Sequence, residues 1–390
     1  MSIKKIFPLL DWLARYSLKD LRFDLVAGIT VSVIAVPQVM AYAQLAGLPP
    51  VYGLYASITP LIVYALFGTS PQLSVGPTAV SALLVLTGIG ALDGVEPGTE
   101  LFVTMALAAA FLSGVIQLLF GVFRLGILVN FLSRPVIYGF SSAAAVLIFL
   151  SQLKYLLGVQ VPRSSGAYEM VVSLVPHVME TNGPTLLLGL ITLLILLVFK
   201  RWLPRWPGAL LVMIVTTAVV FYGGFMDKGI AVVGNIQRGL PHFQWPFAKE
   251  VSFILLVPTA LTIALMSFVE SLAISKTIES RHGDYRIEPN QELAALGWSK
   301  IVSSFFQSFP TSGSFSRSAI NDFAGARTGV ASIISAILIA LVLLYLTPVM
   351  YFLPQAVLAA VITVAVYSLL EWKQALYLWR TERRDFLALI

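Results

Sequence analysis

The sequence predicts an all-α polytopic membrane protein built as an inverted repeat, and three observations support this. Of the 390 residues, 58% are hydrophobic and only 11% are charged, whereas soluble domains carry about 25% charged residues. Twelve apolar segments have or approach the roughly 17–25 residues that cross a bilayer as a helix. Short apolar segments follow a glycine-containing run in matching places of the two halves. The predicted spans are 25–43, 51–67, 77–92, 101–121, 135–153, 185–199, 208–224, 252–273, 292–309, 315–326, 330–347 and 353–370.

The amino-terminal residues indicate a cytoplasmic start. Residues 1–24 mix basic and acidic side chains and lack the apolar stretch and cleavage site of a signal peptide. With this start and twelve spans, the inside segments hold 18 Lys and Arg residues and the outside segments hold five. This distribution follows the positive-inside rule. Topology therefore accounts for the net charge of +6, and we expect no nucleic-acid partner.

The two halves repeat one arrangement of polar residues. Gln38 precedes the small-residue run 74–79, and Glu270 precedes the run 311–316. The offset from Gln38 to Glu270 is 232 residues, and the offset from Gly76 to Gly313 is 237 residues. Seven spans in the first half make the second half enter the membrane from the opposite side. Paired segments of this kind are typical of an inverted repeat with a binding site at its midplane, and chance similarity of two small-residue loops is the alternative.

The two glycine-containing runs predict an anion site. If each run is extended and then starts a helix at mid-membrane, free backbone N–H groups and two positive helix-dipole ends point into one cavity. Hydroxyl groups can add donors as caps or ligands, although small residues also serve close helix packing. The hydroxyl residues are Ser74, Thr78, Thr311, Ser312, Ser314 and Ser316.

Glu270 predicts a site that handles a coupling ion. It is the only charged residue between Glu250 and Lys276, and a carboxylate at membrane depth costs roughly 2.5–3.5 kcal/mol on insertion scales. It could bind a cation, carry a proton, or pair with Arg317 as part of the structure. Burial favours its protonated form and a neighbouring arginine favours its charged form, so proton and sodium coupling both stay open. Ser267, one helical turn earlier, is a candidate for the same face.

Arg317 follows the second run near the start of a short predicted helix. Its guanidinium can neutralise a bound anion or set the potential of the cavity. The alternatives are that the side chain snorkels to the membrane interface, or that it forms a structural pair with Asp322 or Glu270. In the first half, we expect Gln38 to break the first helix after Pro37 and to line the cavity together with Tyr42, for which aromatic packing is the alternative.

Other chemistry finds little support in the sequence. There is no cysteine, which excludes disulfides, thiolate metal sites and cysteine nucleophiles. His177, His242 and His282 fall in predicted loops, and Lys300, Asp322 and Arg327 are predicted to be charges at the cytoplasmic edge. No phosphate-binding loop and no zinc-protease motif occurs. We therefore expect no enzyme activity, no cofactor and no bound metal.

Several long strings resemble the sulfate permease family, whose members include the animal anion exchangers and the motor protein prestin. In the first half they are Pro-Gln-Val-Met-Ala-Tyr-Ala (37–43), Leu-Ala-Gly-Leu-Pro-Pro (45–50), Tyr-Gly-Leu-Tyr (52–55), Gly-Thr-Ser (68–70) and Ser-Val-Gly-Pro (74–77). In the second half they are Asn-Gln-Glu-Leu (290–293), Gly297, Phe309, Ser-Phe-Ser-Arg-Ser (314–318) and Leu-Pro-Gln-Ala-Val-Leu (353–358).

The resemblance implies a seven-plus-seven inverted-repeat transporter fold, in which spans 1–4 and 8–11 form a core that moves against a gate of spans 5–7 and 12–14. It places an anion between the starts of the short half-membrane spans 3 and 10 and a coupling group at Glu270. Here the core corresponds to 1–125 and 250–347, and the gate to 126–249 and 348–390. The implied anion-site residues are Gln38, Tyr42, Val75, Gly76, Pro77, Thr78, Ala79, Ser314, Phe315, Ser316 and Arg317.

Two departures from the family pattern stand out. Val39 occupies a position that is often glycine, which bears on the expected break in the first helix. The sequence stops before the family's last two spans and the cytoplasmic STAS domain, so we expect about twelve of fourteen helices and an incomplete gate.

The expected activity is alternating-access transport of a small anion such as sulfate, bicarbonate or a dicarboxylate such as fumarate. Because an inside-negative potential opposes anion entry, proton or sodium symport is favoured over exchange. The alternatives are an anion channel or voltage-driven motor, and a nucleobase permease of the same fold. We expect a bacterial inner (plasma) membrane protein with a cytoplasmic amino terminus, in contact with the lipid bilayer, and a possible homodimer.

Overall fold

The computed structural model describes residues 8–9, 13, 16–127, 134–161, 167–203, 208–234, 238–247, 253–283 and 285–367. Over these residues the chain is mainly helical, with two short strands. The elements in chain order are α1 (Leu18–Leu45), α2 (Val51–Tyr55), α3 (Thr59–Phe67), β1 (Val75–Gly76), α4 (Ala79–Gly90), α5 (Glu100–Val122), α6 (Arg134–Leu157), α7 (Ala167–Leu174), a 3₁₀ helix (Val175–Glu180), α8 (Gly183–Trp202), α9 (Gly208–Tyr222), α10 (Phe253–His282), α11 (Pro289–Ser304), β2 (Ser312–Gly313), α12 (Phe315–Phe323), α13 (Val330–Tyr345), α14 (Thr347–Met350) and α15 (Gln355–Tyr367).

Each of the twelve predicted spans contains helix. Among the described residues, α1, α5, α8 and α10 are long and apolar enough to cross a membrane by themselves. The predicted span 51–67 is interrupted, because α2 ends at Tyr55 and α3 begins at Thr59. At about 1.5 Å per residue, the 12 residues of α4 and the 9 residues of α12 are too short for a hydrocarbon core of about 30 Å. The prediction of two short helices is therefore confirmed.

The predicted break after Pro37 is wrong. Helix α1 runs through Pro37 to Leu45 without interruption. Proline removes one backbone donor from the helix, but every residue from Ala35 to Ala43 is buried. Tertiary packing on all sides therefore holds the helix together where the local sequence favours a break.

The chain divides into two compact units. The first comprises Met1–Gly126 and Ile236–Pro348, and the second comprises Ile127–Asn235 and Val349–Ile390. These boundaries lie near those of the predicted core and gate, whose moving roles stay a prediction. The predicted gate residues 368–390, including the charged group 380–385, lie outside the described residues, as do 1–7 of the predicted amino-terminal segment.

In the first unit, glycines allow helices α5 and α11 to pack closely. A Cβ atom on Gly114 would lie 2.9 Å from the carbonyl oxygen of Gly297, and a Cβ atom on Gly297 would lie 2.7 Å from the backbone nitrogen of Leu118. Neither position has room for a larger side chain. Small residues serve in this way at helix interfaces in membranes, where close backbone approach replaces hydrophobic driving force.

In the second unit, α15 packs against α6 and α8. Among the described residues of this unit, Val232 and Pro354 form an isolated antiparallel bridge. Helix α8 leaves Leu187 and Leu194 more than half exposed, at 61% and 65%. An apolar face of this kind on a span-length helix is suited to contact with lipid.

Glu292 connects α11 to the end of α3. Its carboxylate is fully buried and accepts hydrogen bonds from the Tyr64 hydroxyl at 2.7 Å, the Thr69 backbone N–H at 2.7 Å and the Thr69 hydroxyl at 2.6 Å. Three donors aimed at one carboxylate satisfy its buried charge. This arrangement makes Glu292 a structural residue of the first unit.

We expect Glu292→Gln to lower the thermal unfolding midpoint of the protein in lipid nanodiscs by several degrees. The amide supplies one acceptor where the carboxylate supplies two, and a lost hydrogen bond to a charged group costs about 1.5–3 kcal/mol. Glu288→Gln is the matched control, because Glu288 is exposed one turn earlier and its side chain does not cap α11. Equal midpoints for the two variants would contradict this structural role.

Candidate functional site

The two glycine-containing runs meet as a two-stranded antiparallel ladder. Val75 pairs with Gly313 and Gly76 pairs with Ser312. The ladder continues beyond the strands, since the Ser314 backbone N–H donates to the Ser74 carbonyl oxygen at 3.0 Å. The Ser74 backbone N–H in turn donates to the Ser318 hydroxyl at 2.9 Å. The tertiary structure thus joins two segments that are more than 200 residues apart, as the inverted repeat requires.

Each strand is followed by a short helix that begins with a hydroxyl cap. The Thr78 hydroxyl accepts from the Ser81 backbone N–H at 3.3 Å at the start of α4, and the Ser314 hydroxyl accepts from the Arg317 backbone N–H at 3.5 Å at the start of α12. Both caps are buried. Because β1 and β2 pair with each other, the positive ends of α4 and α12 start from the same ladder.

Arg317 brings a buried cation to this ladder. Its side chain is only 2% exposed, and its Nη1 donates to Gln38 Oε1 at 3.4 Å. Its Nη2 has no hydrogen-bond partner among the described residues. A Cβ atom on Gly76 would lie 3.0 Å from Nη2, so glycine at this position lets the guanidinium approach the first strand. A buried, incompletely bonded guanidinium is suited to an anionic ligand.

Gln38 links the first helix to this cation. Its amide Nε2 donates to the Tyr42 hydroxyl at 3.0 Å and to the Ser316 hydroxyl at 3.1 Å. The Ser316 hydroxyl also lies 3.4 Å from the Ser314 hydroxyl. The uninterrupted helix α1 therefore still presents Gln38 to α12, with the Tyr42 hydroxyl bonded to the Gln38 amide, although the predicted break is absent.

Glu270 lies against both halves of the ladder. Its Oε2 accepts from the Ser312 hydroxyl at 2.7 Å and lies 3.5 Å from the Thr78 hydroxyl. Ser312 also lies 3.3 Å from the Ser267 carbonyl oxygen. A hydroxyl has one proton to donate, so Ser312 can donate to an ionised Glu270, or accept from a protonated Glu270 and donate to Ser267. The contacts accommodate both protonation states.

Among the described residues, Arg317 forms no salt bridge with Asp322 or Glu270, which is an alternative that the sequence leaves open for its side chain. Asp322 interacts instead with Arg281 at 3.5 Å and His282 at 2.5 Å. Arg327 pairs with Asp20 at 2.9 Å. The sequence predicts His282 in a loop, but it is the last residue of α10, because that helix extends beyond its apolar segment.

The prediction for Lys300 is wrong. Its side chain is 1% exposed, inside the first unit, where Nζ donates to Gln117 Oε1 at 2.7 Å and to the Ser267 hydroxyl at 3.0 Å. Ser267 thus directs its hydroxyl to Lys300 and Gln117, and its carbonyl oxygen to Ser312. One signal could have found this residue, because Lys300 falls in the middle of the predicted span 292–309.

The remaining predicted site residues surround the ladder. Val75 belongs to β1, Pro77 follows that strand, and Ala79 is the first residue of α4. Val75 and Ala79 are buried. Phe315 opens α12 and is 51% exposed. All the predicted site residues lie in the first unit.

The family comparison and two similar relatives point to sulfate permeases and sulfate transporters. The pattern of the sulfate permease family matches residues 21–390. "Probable sulfate transporter 4.2" of Arabidopsis thaliana is 40% identical over 98% of this chain and 57% of the relative. "High affinity sulfate transporter 2" of Stylosanthes hamata is 36% identical over 100% of this chain and 60% of the relative. The chain thus spans somewhat more than half the length of these relatives.

Solved structures show the same architecture. The overall structure of SLC26A9 aligns with a TM-score of 0.90 and 30% identity, over 99% of this chain and 63% of that one. The transmembrane domain of the cyanobacterial bicarbonate transporter BicA aligns with a TM-score of 0.85 and 24% identity, over 96% of this chain and 95% of that one. The second similarity concerns the fold alone. Together they confirm the predicted class of helical membrane fold.

Proposed function

Because this chain belongs to the sulfate permease family, we propose that it is a secondary active transporter of sulfate. Relatives over its whole length are named as sulfate transporters. One observation in the structure carries the proposal: the starts of two short helices and a buried guanidinium converge on one strand ladder. This arrangement supplies the positive potential that an anionic substrate requires.

The anion would lie beside Gly76 and Arg317. The unpartnered Nη2 of Arg317 offers a charged donor, and Ser316 and Tyr42 offer hydroxyl groups held in place by Gln38. Val75, Pro77, Thr78 and Ala79 on one side and Ser314 and Phe315 on the other form the helix starts. Backbone N–H groups at the start of a helix bind oxyanions such as sulfate, and this binding needs no charged side chain.

Glu270 would couple anion movement to a cation, and the contacts favour a proton. Its neighbours Ser312 and Thr78 are hydroxyl groups that can donate or accept. Ser267, predicted to share a coordination face, instead directs its hydroxyl to Lys300 and Gln117. A carboxylate in this setting can gain and lose a proton without rearranging its partners.

Transport would follow alternating access. The first compact unit, which contains the whole candidate site, would act as the moving core, and the second would act as the gate. The protein would be a multi-pass protein of the plasma (bacterial inner) membrane with a cytoplasmic amino terminus, because the inside segments hold most of the Lys and Arg residues. A homodimer belongs to the same proposal.

The proposal is tested by uptake of labelled sulfate, bicarbonate, succinate, fumarate and uracil into proteoliposomes that contain the purified chain. We expect saturable sulfate accumulation that requires an inward proton gradient and does not change when a sodium gradient is imposed. Protein-free liposomes are the control. Sulfate flux that neither saturates nor responds to a gradient would instead indicate a channel, and uracil uptake would indicate a nucleobase permease.

A further inference from the structure

Helices α5, α10 and α11 enclose a second buried polar cluster, formed by Gln117, Ser267 and Lys300. Lys300 Nζ donates to Gln117 Oε1 at 2.7 Å and to the Ser267 hydroxyl at 3.0 Å. Gln117 Nε2 donates to the same hydroxyl at 2.8 Å and to the Ala264 carbonyl oxygen at 2.8 Å. Each of the three side chains is at most 1% exposed. No carboxylate among the described residues forms an ion pair with this lysine.

This cluster adjoins the proposed coupling residue. Ser267 and Glu270 are one turn apart on α10, and the Ser312 hydroxyl lies within reach of both the Ser267 carbonyl oxygen and Glu270 Oε2. Among the described residues, the cations whose charges act on Glu270 are Arg317 and Lys300, and the titratable groups that act on Arg317 are Tyr42 and Glu270. Glu292, on the same helix as Lys300, is held separately by Tyr64 and Thr69.

The charges of this region do not balance among the residues that the structure describes. With both side chains protonated, Arg317 and Lys300 supply two positive charges, and an ionised Glu270 supplies one negative charge. Net charge buried away from water is costly unless an opposite charge accompanies it. When Glu270 is protonated, two positive charges stay uncompensated, which a dianion balances. When Glu270 is ionised, one positive charge stays, which a monoanion balances.

We propose that Lys300 sets the valence of the anion that the site prefers, so that a protonated Glu270 and a divalent oxyanion such as sulfate load together. This inference rests on the proposed function and adds a charge rule for the same site: the buried charges of Arg317, Lys300 and Glu270 decide the valence of the preferred anion. Lys300 does not contact the anion in this arrangement. It acts through its electric field, which is screened little in a buried, low-dielectric environment, and it is a specificity-determining residue.

The test compares a divalent with a monovalent anion. Lys300→Met has nearly the length of lysine and no charge, and Lys300→Arg keeps the charge. The measurement is the half-saturating concentration of labelled sulfate and of labelled chloride in proteoliposomes under an inward proton gradient. We expect Lys300→Met to lower the preference for sulfate over chloride by roughly tenfold, while Lys300→Arg keeps the preference of the parent chain.

A second pair of variants leaves the lysine in place. Gln117→Glu puts a carboxylate at the atom that Lys300 contacts, and so cancels the same positive charge. Gln117→Met loses the acceptor for Lys300 and leaves the positive charge of the lysine in place. Both variants lose the hydrogen bonds that Gln117 Nε2 donates. We expect the sulfate preference to fall in Gln117→Glu and to persist in Gln117→Met. If Lys300→Met does not yield folded protein, this pair decides the question alone.

The outcomes separate this inference from the proposed function. Sulfate accumulation by the parent chain, with the same anion preference in Lys300→Met and Gln117→Glu, would overturn the charge rule and leave the transporter in place. A parent chain that moves no sulfate under any gradient would overturn both. Equal losses of preference in Gln117→Glu and Gln117→Met would reduce the cluster to a structural role.

Discussion

Glu270→Gln is expected to abolish the gradient-driven accumulation of sulfate while sulfate exchange across the membrane continues. The amide keeps the shape of the side chain and its contact with Ser312, at 2.7 Å in the parent chain, but it cannot take up a proton. Without proton uptake at this residue, the proton gradient cannot drive the movement of sulfate. Internal sulfate should therefore rise only to the external concentration, and the exchange rate should no longer depend on pH.

Counterflow and net uptake in the same proteoliposomes separate these two activities. Glu100→Gln is the matched control, because Glu100 is an exposed carboxylate in the first turn of α5, and it should accumulate sulfate like the parent chain. Accumulation by Glu270→Gln at the parent level would refute the assignment of Glu270 as coupling residue. Loss of both accumulation and exchange would show that Glu270 is needed for anion binding itself.

Arg317→Ala is expected to weaken sulfate binding by about tenfold to a hundredfold. A hydrogen bond to a charged group contributes about 1.5–3 kcal/mol, and each 1.4 kcal/mol corresponds to a factor of ten in affinity. The guanidinium is buried and bonds Gln38 through Nη1, with Nη2 left for a ligand. Arg317→Lys should give an intermediate affinity, because it keeps a charge but loses the planar fork.

Calorimetric titration of the detergent-solubilised protein with sulfate measures this effect directly. Arg286→Ala is the control, because Arg286 is exposed and lies in the connection between α10 and α11. Unchanged sulfate affinity in Arg317→Ala would remove the guanidinium from the anion site. Thermal unfolding of each variant shows whether the ladder of β1 and β2 is retained, so that a folding defect is not counted as lost affinity.

Much of the fold could be predicted because the length and apolar composition of a segment decide whether it inserts into the membrane as a helix. An apolar segment of sufficient length forms a helix wherever it enters lipid, since its backbone groups find no other partners there. All twelve predicted segments contain helix, and Glu270 stood out as an isolated charge in one of them. The same argument applied to Lys300 would have placed it inside the protein, because it also lies within a predicted span.

Details that depend on packing could not be predicted in this way. The sequence around Pro37 favours a break, yet α1 continues because its second half is buried on all sides. The span 51–67 is continuous in composition, yet its helix is interrupted between Tyr55 and Thr59. In both places the local preference amounts to a few kcal/mol, and tertiary contacts outweigh it.

The sequence by itself determined the class of fold, the matching places of the two glycine-containing runs in the two halves, and Glu270 and Arg317 as candidate charges. Those features depend on residue types and on spacing along the chain. The tertiary structure alone decided that Gly76 meets Ser312, that Gln38 rather than a carboxylate holds Arg317, and that Lys300 reaches Ser267. These contacts join residues far apart in sequence, and their partners follow from how helices pack, which no local pattern encodes.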